Sequence, residues 1–145
     1  MAETAPTPPG ILIARGVARA LDDLGFAALP EFPTPDGRRM DLCALGPKGE
    51  VWCVEVKSSR ADFASDAKWQ DYLPWCECFF FAVPDSFPRD LIPAEHGLIL
   101  ADAWCGEVVR HTARRPMAAA RRKALTLSFA RLAARRLMPQ PPQVP

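Results

Sequence analysis

Three residues near the middle of the chain, Asp41, Glu55 and Lys57, have the types and spacing for phosphoryl chemistry. Glu55 and Lys57 lie in "VWCVEVKSS", Val51 to Ser59, an otherwise strand-like run. Side chains two apart share one face of a strand. Cys53, Glu55 and Lys57 therefore point one way, and Trp52, Val54 and Val56 the other. The preceding "RRMDLCAL" alternates too and is joined to this run by the turn "GPKG", which reads as a hairpin. Folding it about Lys48 sets Leu45 against Val51, Cys43 against Cys53 and Asp41 against Glu55. Met40, Leu42 and Ala44 then share the second face. Opposed Cβ atoms lie ~5 Å apart, and two carboxylates that close repel unless something positive sits between them. Lys57 is one candidate and a divalent cation the other. Mg²⁺ suits two carboxylates, since it takes oxygen ligands and keeps several waters; Mn²⁺ is the expected substitute. Such an ion polarises a phosphoryl oxygen and supplies a hydroxide-like nucleophile. Lys57 would orient or deprotonate that water, or stabilise charge on phosphorus. A bare Glu-x-Lys is more often a salt-bridged strand end. The aspartate one hairpin upstream is what favours the site.

The surrounding elements have to position these groups. "ILIARGVARALDDLG" repeats apolar residues at helical spacing (Ile13, Val17, Ala20, Leu21, Leu24), with Gly25 as its stop. "FAALPEF" predicts a strand whose Pro30 calls for an edge or an irregular end, and "PTPDG" predicts a turn. Ser59 followed by Asp62 resembles a capping box that opens a helix through about Tyr72. "CFFFAV" predicts a buried strand, "PDSFPRDLIP" a loop, and "GLILAD" and "EVVRHT" two further strands. Pro116 is suited to open a last helix running to about Leu137, with Leu125, Phe129 and Leu132 as its apolar stripe. The predicted fold class is α/β: an αβββαβ core with a mixed sheet flanked by helices, then a β-hairpin and a basic C-terminal helix. Residues 1–9 and the Pro-rich tail 139–145 are expected to be disordered, leaving one domain over 10–138.

The composition is that of a soluble globular protein, with 49% hydrophobic and 24% charged residues. No apolar run approaches the ~20 residues of a membrane span. "MAETAPTPPG" has neither the basic nor the apolar region of a secretory signal, so the expected compartment is the cytoplasm. Five Cys, with Cys76 and Cys78 lacking a second pair at zinc spacing, read as buried free thiols. His96 and His111 stand alone and are expected to be surface or structural. Charge is lopsided: all 17 Asp and Glu lie at or before Glu107, and nine Arg or Lys follow it. Those nine are Arg110, Arg114, Arg115, Arg121, Arg122, Lys123, Arg131, Arg135 and Arg136. Such a segment suggests a polyanionic partner, or else a solvated helix face.

Met40–Asp41 followed by Glu55-Val56-Lys57 at the end of the next strand resembles the signature of the PD-(D/E)xK nuclease superfamily. The superfamily's αβββαβ unit would match residues ~10–83. "GRRMDLCALGPKGEVWCVEVKSSRADFASDAKWQDYLPWCECFFFAV" closely resembles the MmcB-type DNA repair proteins of bacteria, as do "GLILADAW" and the arginine-rich C-terminal helix. The resemblance covers most of the chain and implies DNA as partner, with a second copy or other repair proteins as further candidates. It implies that Asp41 and Glu55 are metal ligands and Lys57 the catalytic lysine. Many members carry an acid in the first helix; here only Asp22 and Asp23 stand there, near its end, and Glu31 on the first strand is the substitute ligand. Met40 replaces the signature proline. Lys68 and Tyr72, one helical turn apart, could reach the site or a phosphate. Gln70 and Tyr72 are too close to form the Gln-x-x-x-Tyr motif of some superfamily members. Arg114, Arg115, Arg121, Arg122 and Lys123 are the expected DNA contacts. The expected function is a Mg²⁺-dependent DNA endonuclease in repair. Its alternatives are a non-cleaving DNA-binding or scaffold module of the same fold and a protein-interaction domain with a basic helix.

Overall fold

A computed structural model describes residues 5–144. The expectation of a disordered start falls partly outside them, at residues 1–4, and that of the tail at residue 145. Within them, 5–8 and 139–144 have no helix or strand.

Helix α1 (Pro9–Asp23) opens on Pro9, earlier than the apolar pattern alone indicated, because proline fits the first helical turn. It buries Ile13, Val17, Ala20 and Leu21 and stops at Gly25, whose φ is +85°. Strands β1 (Ala27–Pro33), β2 (Arg39–Leu45) and β3 (Val51–Val56) follow as an antiparallel meander. The chain then forms α2 (Arg60–Ser65), a 3₁₀ helix (Trp69–Trp75) and β4 (Cys78–Val83). After the proline-rich loop come β5 (Gly97–Ala101), β6 (Gly106–Arg110) and helix α3 (Ala119–Arg136). The six strands form one sheet in sequence order, with β3, β4 and β5 parallel and the outer pairs antiparallel. This is the mixed sheet and element order expected.

Each face of the sheet carries its own core. On one, α1 covers Leu42, Ala44, Val54, Val56, Phe80 and Ile99. On the other, α3 places Leu125 and Phe129 against Phe32, Met40, Cys53, Phe79 and Phe81, and Trp69 and Tyr72 join the same layer. At Gly16 α1 comes into close approach with the end of the sheet: a Cβ there would lie 1.9 Å from the Asp102 carbonyl oxygen.

Three expectations need correction. The helix opened by Ser59 does not reach Tyr72. Ser59 Oγ does accept from Asp62 N at 3.1 Å, but the helix ends at Ser65. Asp66 turns its carboxylate to Lys68 N and Lys57 Nζ, and Pro74 lies inside the 3₁₀ turn that follows. The last helix begins at Ala119, not Pro116: the stretch before it runs extended, with Arg115 N donating to Glu77 O at 2.9 Å. Finally, Met40 does not share a face with Leu42 and Ala44; it packs with Cys43 in the opposite core. Leu29 and Phe32 likewise pack in one core although three residues apart. Both strands lose their alternation at the same level, where Glu31 has φ +50°, a left-handed conformation uncommon outside glycine.

Candidate functional site

The loss of alternation builds the site. The β1–β2 pairing runs through Pro30–Leu42 and Phe32–Met40 but omits Glu31–Asp41. The β2–β3 pairing ends at Leu42–Val54, one step before Asp41 would meet Glu55. In that gap the two carboxylates take the place of the ladder. Asp41 N donates to Glu55 Oε1 at 3.1 Å, and Val56 N donates to Asp41 Oδ2 at 2.8 Å. Each acid is thus fixed by the other's strand.

Both carboxyls are driven toward the protonated form. Burial raises Asp41 above its ordinary value, and the Val56 N–H offsets only part of that. Burial and then the charge of Asp41 push Glu55 up to about 8. Two acids sharing a site cannot both ionise cheaply. Lys57, only 5% exposed, comes immediately after β3 and donates to Asp66 Oδ2 at 2.7 Å. Burial works to raise Asp66, but the Lys57 and Lys68 hydrogen bonds outweigh it and hold the carboxyl below its usual value. Asp62 completes the rim, accepting from Ser58 N at 2.9 Å.

These side chains line a pocket of about 570 Å³ between the N-terminal turn of α1 and the strands, with Glu31, Asp41, Glu55, Asp62 and Lys57 on its wall. Four acids against one lysine would repel a phosphodiester unless cations enter with it. Hard oxygen donors facing one another suit Mg²⁺, which is commonly held by one or two carboxylates and water. Glu31 lines the pocket, but among the described residues no three His, Cys, Asp or Glu close into a metal-holding group. An adjoining cavity of about 600 Å³, beyond Ser58, is largely apolar and has acids but no basic residue on its wall.

The other residues singled out from the sequence fall into two groups. Tyr72 stands beside the site, but its hydroxyl donates to Arg39 O at 2.7 Å, tying the 3₁₀ helix to the start of β2. Burial, and then the charge of Glu55, push that phenol up to about 12. Lys68 is exposed at the start of the 3₁₀ helix, so it does not share an α-helical face with Tyr72. Arg114 and Arg122 both donate to Glu77, which is 2% exposed and also accepts from Val51 N at 3.2 Å. The two arginines overcome the burial penalty and hold the Glu77 carboxyl low. Arg115 donates to Leu73 O, and Arg121 donates to Pro74 O and lies over Trp75. Four of the five expected DNA contacts therefore also fasten the C-terminal segment to the body. The side chains of Lys123, Arg131 and Arg135 form no hydrogen bond or ion pair with the described residues.

Sequence reasoning missed Asp66 and Glu77. Asp66 was hidden by the assumption of a continuous helix. Glu77 did leave a signal, a lone acid between two Cys leading into an apolar strand. His96 is structural, packed edge-on against Trp69 and Phe79, and burial lowers its pKa. Four of the five Cys are buried free thiols, and Cys105 is exposed.

The family model of MmcB-like DNA repair proteins matches residues 3–142. The chain belongs to the MmcB-like DNA repair family. Among solved structures, an MmcB-like chain resembles SPO1766, a protein of unknown function from Silicibacter pomeroyi. The two share 53% identity over 92% of this chain and 91% of that one, with a TM-score of 0.88. No curated protein matches. Among the described residues, no helix of this MmcB-like protein is long and apolar enough to cross a membrane.

Proposed function

We propose that this MmcB-like protein is a Mg²⁺-dependent DNA endonuclease of repair that hydrolyses a phosphodiester at the Asp41–Glu55–Lys57 pocket. The observation that carries the reading is the interrupted ladder: Asp41 and Glu55 meet across it, with Lys57 beside them. A chain that needed only a stable hairpin would continue the ladder through these positions.

Asp41 and Glu55 are the residues that would hold the ion. When bound, the ion would offset the phosphate's charge and make water a better nucleophile. The chain's own groups do the rest. Val56 N and Asp41 N fix one oxygen of each carboxylate, which pre-sets their orientation. Lys57 is held at the pocket wall by Asp66, where its ammonium can orient water or meet charge developing on the phosphate. DNA partners the positively charged C-terminal segment through phosphate contacts, with Lys123 the least encumbered of the expected residues.

Lys57→Ala should abolish Mg²⁺- or Mn²⁺-dependent cleavage of duplex, flap, junction or damaged DNA. If pure wild type cuts none of these, the nuclease reading is wrong. One observation favours a second reading, a non-cleaving DNA-binding module: among the described residues no third acid closes a metal-holding group with Asp41 and Glu55. Salt-sensitive DNA binding without turnover supports that module.

A further inference from the structure

Beside α3 lies a groove of about 400 Å³ that the proposed site does not use. Its wall is apolar, with Phe32, Pro33 and Pro35 on one side and Leu132 on the other, and Arg131 and Arg135 stand on its helix side. The two arginines are one turn apart and exposed. Asp36, in the neighbouring turn, interacts with Thr34 and Arg38 instead. The groove therefore offers unneutralised guanidinium charge beside an apolar surface, the pairing that holds a phosphate and its attached base.

Its position selects the occupant. The acidic pocket opens at the interrupted ladder beside the first turns of α1, lined there by Gly10, Ile11 and Ala14, whereas this groove is lined by residues of α3, which covers the face opposite α1. Only the edge strand β1 separates them: Pro30 and Glu31 border the pocket, Phe32 and Pro33 the groove. Arg136 clamps that edge, donating to Pro30 O at 2.5 Å and Glu31 O at 2.9 Å. A strand filling both cavities must turn around β1 within a few residues. Duplex DNA, with a persistence length of about 150 bp, cannot make that turn; unpaired nucleotides can.

We propose that the groove is a subsite for unpaired nucleotides next to the scissile phosphate, with Arg131 and Arg135 on the backbone and the apolar wall against a base. The substrate class is then DNA with a single-stranded flank: a flap, a gap or a frayed end. This inference rests on the DNA reading of the acidic pocket and refines it.

The test is fluorescence anisotropy in EDTA, comparing a blunt hairpin duplex with the same duplex carrying a short 5′ or 3′ tail. Wild type should bind one tailed form about ten-fold more tightly, the worth of roughly one stacked base. Arg131→Gln/Arg135→Gln, shown folded by circular dichroism, should lose that advantage, weakening tailed binding about ten-fold more than blunt binding. Its plot of log affinity against log salt should flatten by about 1.4, two single-strand phosphates at ~0.7 each. Equal affinity for tailed and blunt DNA, or equal weakening of both by the variant, overturns the subsite and leaves the DNA reading standing. No DNA binding by wild type overturns both. Displacement of the tail by an oligoglutamate peptide that binds more tightly shows an acidic protein partner instead and also overturns the subsite.

Discussion

Glu55 makes the stability of the metal-free protein depend on pH in an unusual direction. In the fold its carboxyl is pushed up to about 8, by burial and then by the charge of Asp41. In the unfolded chain it ionises near 4.5. Between those values the folded state holds a proton that the unfolded state has lost, so stability falls as pH rises. The slope is about 1.36 kcal/mol per pH unit while the folded group stays protonated, and flattens near its pKa. From pH 6.5 to pH 8 the loss is on the order of 1–2 kcal/mol. His96 is held neutral by burial and acts in the opposite sense below about pH 6.5, and Cys76, whose pKa is lowered by a hydrogen bond from Cys53, works against the trend at the upper end. Both cancel in the difference between wild type and Glu55→Gln, whose amide oxygen can still accept from Asp41 N. Urea unfolding in EDTA, followed by tryptophan fluorescence at the two pH values, measures that difference. A gap between wild type and variant that stays constant from pH 6.5 to pH 8 refutes the reasoning.

Two further predictions concern the frame around the site. Glu77→Gln removes the charge that Arg114 and Arg122 share and should cost about 3 kcal/mol in urea unfolding, near the lower end for breaking a buried pair because both arginines reach water. Gly16→Ala would press a methyl group into the Asp102 carbonyl and should cost about 2 kcal/mol, lowering Tm by roughly 6 °C in a calorimetric scan.

The elements were legible because each carried a local signal. The spacing of Ile13, Val17 and Leu21 marked α1, the six apolar residues of β4 could only be a buried strand, and the β2–β3 register followed from hairpin symmetry about Lys48. Symmetry also brought Asp41 to Glu55, but not the manner of their meeting. A perfect ladder would have set Met40 beside Leu42 on one face. The left-handed turn at Glu31 and the replacement of ladder bonds by carboxylates depend on contacts across three strands, which no local pattern records. The same limit hid the partners of the arginines. From sequence they formed a free cationic run. In the fold, Arg114 and Arg122 answer the buried Glu77, some forty residues away, and Arg136 holds the edge strand. Asp66 was misplaced because the short α2 gives way to a 3₁₀ turn, a change set by its own side-chain bonds to Lys57 and Lys68.

The central claim is that Asp41 and Glu55 together grip one divalent cation. Calorimetric titration of Mg²⁺ and of Mn²⁺ into wild type and Asp41→Asn at pH 7, repeated in buffers of different ionisation enthalpy, tests it most directly. The account predicts one ion per wild-type chain, close to one proton released as Glu55 ionises, and at least ten-fold weaker binding by the variant. Absence of binding to wild type, or unchanged affinity in Asp41→Asn, contradicts it.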